Sequence, residues 1–155
     1  MAAILTPTYD QLERVATKMY EDPTDKSIMG VYWNKTSSPT LTRTDDAVGK
    51  VAAAGVDGAL VTNDFDKMPI YREMLEVTDA YGNVFIKIPK FYIKKTNGTG
   101  FKTIKISKTQ HPGFYLPAVF WDFTNGVELP YYLHGKYKAN LSAANTKLES
   151  KPGTY

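Results

Sequence analysis

The chain has 155 residues, of which 43% are hydrophobic, 13% aromatic and 23% charged, with a formal net charge of +3. That length suits one domain, or a small domain with an attachment element, and the aromatic content is that of a folded chain. With no cysteine there is no disulfide, thiolate zinc site or cysteine nucleophile, and His111 and His134 are the only imidazoles. No run approaches the roughly 20 apolar residues of a membrane span, and no basic region followed by a hydrophobic stretch opens the chain, so neither membrane insertion nor signal-directed secretion is expected.

Pro7 and Thr8 followed by Gln11 have the spacing of a capping box and predict a helix over residues 8–21. Leu12, Val15, Ala16, Met19 and Tyr20 fall on one stripe of it, and Pro23 ends it. Leu5, Tyr9, Leu12, Ala16 and Met19 also follow the seam of a coiled coil over two heptads, so the stripe reads either as a docked helix or as a short self-associating bundle. Residues 1–28 are read as a helical attachment segment anchored through Leu5, Leu12, Val15 and Met19.

Strand signals dominate after that. Residues 29–33 and 40–44 predict short strands around a polar turn, 45–54 at most a helical turn or two, and 59–62 a further short strand. Residues 75–78 and 84–88 flank a hairpin loop containing Gly82, and 90–95 and 101–107 flank Asn97, Gly98 and Gly100. Pro89 suits an edge or a bulge. Residues 113–123 are apolar and aromatic, with turns expected at Asn125-Gly126 and Gly135. The pattern predicts a mainly β fold: antiparallel hairpins in a sandwich or small barrel over residues 29–138, preceded by the short N-terminal amphipathic helix. Residues 139–155 turn polar and read as an extended tail or a linker to a further region.

Charge is segregated. Residues 80–121 contain seven lysines and nine aromatic residues but no Asp or Glu. A basic, aromatic β segment is a candidate surface for glycans or polyanions, with Lys90, Tyr92, Lys94 and Lys105 as its members. The plainer alternative is that the rings fill a core while the lysines solvate the outer face. No signature of a nucleic-acid module accompanies the segment, so nucleic acid is not an expected partner.

Chemistry is thinly signalled. No nucleophile elbow or phosphate loop is present, His111 before Pro112-Gly113 reads as a turn residue, and His134 lies on a tyrosine-rich surface. Asp64 and Asp66, with Asp57 and Glu73 near in sequence, miss the calcium-loop pattern; as a hydrolytic pair they would need a separation of about 5 to 9.5 Å. Neither a metal nor a cofactor is expected, and the chain reads as non-enzymatic. Asn34-Lys35-Thr36, Asn97-Gly98-Thr99 and Asn140-Leu141-Ser142 match the glycosylation acceptor pattern but read as turns.

Several segments carry a resemblance. They are Gly30-Val31-Tyr32-Trp33, Ser38-Pro39-Thr40-Leu41-Thr42-Arg43, Asn63-Asp64-Phe65-Asp66-Lys67-Met68-Pro69-Ile70-Tyr71, residues 82–92, Gly113-Phe114-Tyr115-Leu116-Pro117, Gly135-Lys136-Tyr137-Lys138-Ala139 and Lys147-Leu148-Glu149-Ser150-Lys151. In order and spacing the chain over residues 30–155 resembles tail-fibre and minor structural proteins of phages and phage-tail-like particles of Gram-positive bacteria. The resemblance implies a non-enzymatic virion component used in host attachment. It would be homo-oligomeric, with a trimer favoured, and partnered by other tail or baseplate proteins and a bacterial surface glycan. Two alternatives stand beside it: a carbohydrate or cell-wall-polymer binding module, and a polysaccharide-degrading hydrolase.

Overall fold

The computed structural model describes residues 26–36, 40–53, 63–141 and 148–152. The expected N-terminal helix, its anchor residues Leu5, Leu12, Val15 and Met19, and the strand expected over 59–62 lie outside them.

The described residues form antiparallel β structure in two compact units that interleave along the chain. Of the described residues, one unit takes 26–36, 40–53, 63–72 and 90–129, the other 73–89, 130–141 and 148–152. Among the described residues the chain passes between the units three times, after Arg72, after Pro89 and before Pro130.

The larger unit is built on a four-stranded sheet of β1 (Ile28–Asn34), β2 (Leu41–Asp45), β5 (Tyr92–Gly98) and β6 (Phe101–Ser107), in the order β2-β1-β6-β5. Its register places Met29 between Asp45 and Ile106, Gly30 between Thr44 and Lys105, and Val31 between Arg43 and Ile104. Because side chains alternate across a pleated strand, Met29, Val31, Ile93, Ile104 and Ile106 share one face. On that face lie Phe65 and Tyr71, packed edge to face at 5.2 Å, which with Met29, Val31, Ile104 and Ile106 line a pocket of about 160 Å³. The Arg43 guanidinium sits 5.0 Å from the Phe65 ring centre. Burial pushes the Tyr71 phenol above its ordinary value, against the opposing pull of Arg43.

The segment from Asn63 to Tyr71 is held by its own backbone. Asn63 and Asp66 form a reciprocal capping box around a short 3-10 turn (Asp64–Lys67), and Tyr71 N–H closes onto Pro69 C=O at 2.9 Å. That last bond is a γ-turn centred on Ile70, whose φ of 72° is unusual for a β-branched residue. Complete burial of the Ile70 side chain is the compensating contact.

Both β5 and its neighbourhood are tied down further along the chain. Ile93 and Tyr115 exchange two backbone hydrogen bonds of 2.9 Å, which covers the outer edge of β5. A two-stranded hairpin of β7 (Trp121–Asp122) and β8 (Val127–Glu128) follows. It is rooted by Phe120, fully buried and packed edge to face on Phe91 at 5.1 Å.

The smaller unit holds a three-stranded sheet of β3 (Leu75–Thr78), β4 (Val84–Pro89) and β9 (Tyr131–Gly135), with β4 central. The β3 ladder ends at Leu75 opposite Lys87, so Pro89 has a strand partner on the β9 side only, where it faces Tyr131. A proline is tolerated there because no second ladder bond is lost. Gly135, expected in a turn, instead ends β9 opposite Phe85, and a Cβ on it would lie 3.1 Å from Ser150 Oγ. A strand pair of β10 (Asn140–Leu141) and β11 (Leu148–Glu149) leads to Ser150. Buried Ser150 donates its N–H to Asn83 Oδ1 at 3.0 Å, and its hydroxyl accepts from Tyr137 N–H at 3.0 Å.

The expectation of a small barrel is corrected: no sheet among the described residues closes. In each of the larger sheets the first and last strands have different, unjoined edges, and the chain passes to the other unit after β4 instead of supplying a closing strand.

Candidate functional site

The opposite face of the four-stranded sheet is polar. Thr42, Thr44, Tyr32, Thr96, Thr103, Tyr92, Lys94 and Lys105 alternate onto it, with Tyr32 stacked on Phe101 at 5.7 Å. Lys94 and Lys105 are direct cross-strand neighbours, and Tyr92 lies two residues before Lys94 on the same face. Lys90 precedes β5, and its Nζ sits 5.9 Å from the Tyr92 ring centre. The structure therefore brings Lys90, Tyr92, Lys94 and Lys105 to one side of the sheet, each half-buried.

Two of the three lysines are paired with carboxylates. Lys105 donates to Asp45 Oδ1 at 2.7 Å, and Lys90 donates to Glu128 Oε2 at 2.7 Å. Lys94 runs along Gly113, coming within 3.1 Å of where a Cβ would stand. The Glu128 hydrogen bond lifts Lys90 above its usual range, while burial works the other way. Burial pushes the Asp45 carboxyl up, but hydrogen bonds from Lys105 and Thr44 outweigh it and hold the group below its ordinary value. The acid-free segment of the sequence thus receives carboxylates from outside itself. Folding pairs two of its seven lysines, Lys90 and Lys105, with acids.

Glu128 belongs to the hairpin, where it stands directly opposite Trp121. The surface around Tyr92 and Lys90 is thereby continued to an indole that sequence reading did not assign. A turn was legible at Asn125-Gly126; the pairing of Trp121 with Glu128, and of Glu128 with a lysine 38 positions away, was not.

The other residues weighed as chemical groups have structural partners. Asp64 accepts from Val51 N–H at 2.8 Å, Asp66 accepts from Asn63 N–H at 3.1 Å, and Asp57 lies outside the described residues. His111 Nε2 lies 3.1 Å from Ser107 Oγ and 3.2 Å from Thr109 Oγ1, a Ser–His proximity the sequence did not signal. The Ser107 side chain is 1% exposed and also accepts from Thr109 N–H at 3.3 Å, so its hydroxyl is spent inside the loop. His134 is exposed on β9 opposite Ile86. Asn34 Oδ1 accepts from Thr36 N–H and hydroxyl, an Asx turn at the first acceptor sequon.

A second surface lies on the β1–β2 side of the same unit. Val31, Leu41, Thr42, Arg43, Val48, Lys50 and Val51 line an open groove, where Leu41, Val48 and Val51 are 58%, 64% and 63% exposed. Trp33, the cross-strand partner of Leu41, extends it. Among the described residues no group of three or more His, Asp or Glu side chains is placed to hold a metal ion, and no helix is long and apolar enough to cross a membrane. Comparison with known proteins returned no matching family model, no matching curated protein and no matching solved structure.

Proposed function

We propose that the chain is a non-enzymatic structural component of a phage or phage-like tail fibre, held to the particle through its N-terminal segment and contributing to host attachment. The observation that carries this reading is the apolar groove. Val31 and the segment Leu41 to Arg43, both part of the resemblance, line it, and Leu41, Val48 and Val51 stand exposed along it. Such surfaces are ordinarily covered by another protein, and a homo-oligomer, favoured here as a trimer, supplies that cover. Neighbouring tail or baseplate proteins are the further partners, and the particle is the site of action.

The reading is tested by sedimentation velocity on the full chain and on Leu41→Asp/Val51→Asp, both exposed positions. The chain sediments as an oligomer and the variant dissociates. A wild-type monomer at high concentration contradicts the fibre reading.

The second reading, a carbohydrate or wall-polymer binding module, is favoured by the gathering of Lys90, Tyr92, Lys94 and Lys105 on one side of the sheet. Adsorption to isolated Gram-positive cell walls tests it. Lys94→Glu/Lys105→Glu weakens adsorption without changing the sedimentation coefficient; unchanged adsorption counts against those residues.

A further inference from the structure

The hairpin of β7 and β8 is built as a rigid display. Its base is fixed by fully buried Phe120, whose C=O accepts from Leu129 N–H at 2.8 Å. Its tip is fixed by Asp122, whose carboxylate accepts from Thr124 N–H, Asn125 N–H and Asn125 Nδ2. Those hydrogen bonds hold the Asp122 carboxyl below its ordinary value. Gly126, at φ 67°, closes the turn with its N–H on Asp122 C=O.

Between the two anchors the hairpin presents Trp121, 37% exposed, with neither a ring contact nor a side-chain hydrogen bond among the described residues. Tyrosine and tryptophan side chains normally find a partner for their polar atom when buried, so an indole N–H without a protein partner on a partly exposed side chain is an unused recognition group. Directly across the ladder stands Glu128, and from it Lys90, 2.7 Å away, bridges to the Tyr92 ring. Cross-strand partners lie about 5 Å apart at Cβ, so the indole and the ion pair fit under one small ligand.

We infer that Trp121, Glu128, Lys90 and Tyr92 form a binding subsite for a neutral saccharide unit, the sugar ring lying on the indole and its hydroxyls bonding to the Glu128 carboxylate and the Lys90 ammonium. The pairing of charges selects the ligand class. A carboxylate and an ammonium already neutralising each other offer a polyanion little attraction, and Glu128 repels it. They offer acceptors and donors side by side to vicinal hydroxyls, which carry no charge and need both. The fixed hairpin reduces the ordering cost that a mobile loop would impose on binding. This inference rests on the second reading of function above and gives it a ligand class and a location.

The test uses the full chain labelled with ¹⁵N. It is titrated with short neutral oligosaccharides of hexoses and N-acetylhexosamines, and separately with polyglycerol phosphate as an anionic probe. The two indole N–H signals, from Trp33 and Trp121, are followed. A neutral oligosaccharide shifts the Trp121 signal and leaves that of Trp33 in place. Trp121→Ala weakens binding by about tenfold or more, and Glu128→Gln weakens it while preserving the β-sheet circular dichroism. The affinity changes little with added salt. A Trp121 signal unmoved across the neutral panel overturns the subsite, as does binding confined to the anionic probe and lost with salt. Wall adsorption separates the two levels. Walls that bind the wild type and Trp121→Ala equally remove this subsite and leave wall binding standing, whereas walls that bind neither remove both.

Discussion

Lys105 reaches Asp45 across Gly30, donating from Nζ to Oδ1 at 2.7 Å over the one position between them that has no side chain. Gly30 pairs with Thr44 on one side and Lys105 on the other, and the Thr44 hydroxyl donates to Asp45 Oδ2 at 2.7 Å just above it. Asp45 adopts a left-handed φ of 55°, which turns its carboxylate back towards this slot. The slot is the feature on which the polar face of the sheet is organised.

A methyl group at Gly30 would fall on Thr44 Oγ1 and Asp45 Oδ2. Gly30→Ala is therefore expected to lower stability by about 1 to 3 kcal/mol, through overpacking and loss of the pair. Chemical denaturation checks this. The variant should gain nothing from a further Asp45→Asn change, because both substitutions remove the same arrangement.

The pair also predicts an acid dependence. The Asp45 carboxyl titrates below its ordinary value in the folded chain, so its contribution is present above the unfolded-state value of about 3.9 and is lost as pH falls through the folded value. Stability of the wild type should therefore fall more steeply than that of Asp45→Asn below about pH 4, with the two curves separated by about 1 kcal/mol or less at neutral pH. Parallel curves over that window would remove the pair as a stabilising contact.

In the smaller unit, the Ser150 hydroxyl serves Tyr137 N–H and in turn lies 3.1 Å from the carbonyls of Val84 and Tyr137. Ser150→Ala leaves buried backbone groups without that partner and is expected to cost about 1 to 3 kcal/mol. Amide hydrogen exchange should show the loss first at Tyr137, while Phe65 and the amides of β6 keep their protection.

Among the described residues Phe120 is the largest completely buried side chain, and it is the root of the hairpin that carries Trp121. Phe120→Ala should destabilise by about 3 to 5 kcal/mol, read from the denaturation midpoint. It should also abolish protection of the Leu129 amide, whose bond to Phe120 C=O closes the hairpin.

The strands were largely legible because their signals are local. Leu75–Thr78 and Phe101–Ser107 have the expected bounds, and Ile28–Asn34 and Leu41–Asp45 lie within a residue of them. What was illegible depends on contacts far apart in sequence. The pairing of Lys105 with Asp45 spans 60 residues and that of Ser150 with Asn83 spans 67, and no local pattern encodes either. The passage of the chain between two units at Pro89 and Pro130 was signalled by nothing stronger than the prolines themselves. The Asn63–Asp66 capping box was present in the letters, but its aspartates invited a chemical reading before a structural one.

The attachment role proposed for the N-terminal segment makes its own prediction. Leu12→Asp/Met19→Asp should abolish assembly while leaving the β-sheet circular dichroism and the denaturation midpoint unchanged, since fully burying each large apolar side chain at a partner contributes about 1.5 to 3 kcal/mol. Assembly that survives both charges would exclude these residues as the anchor.

The most direct test of the fibre reading is the solution mass by light scattering of the full chain and of a version beginning at Ser27. The full chain is expected to be an oligomer, with a trimer favoured, whose mass falls to that of a monomer when the N-terminal segment is removed. A monomer from both would contradict that reading.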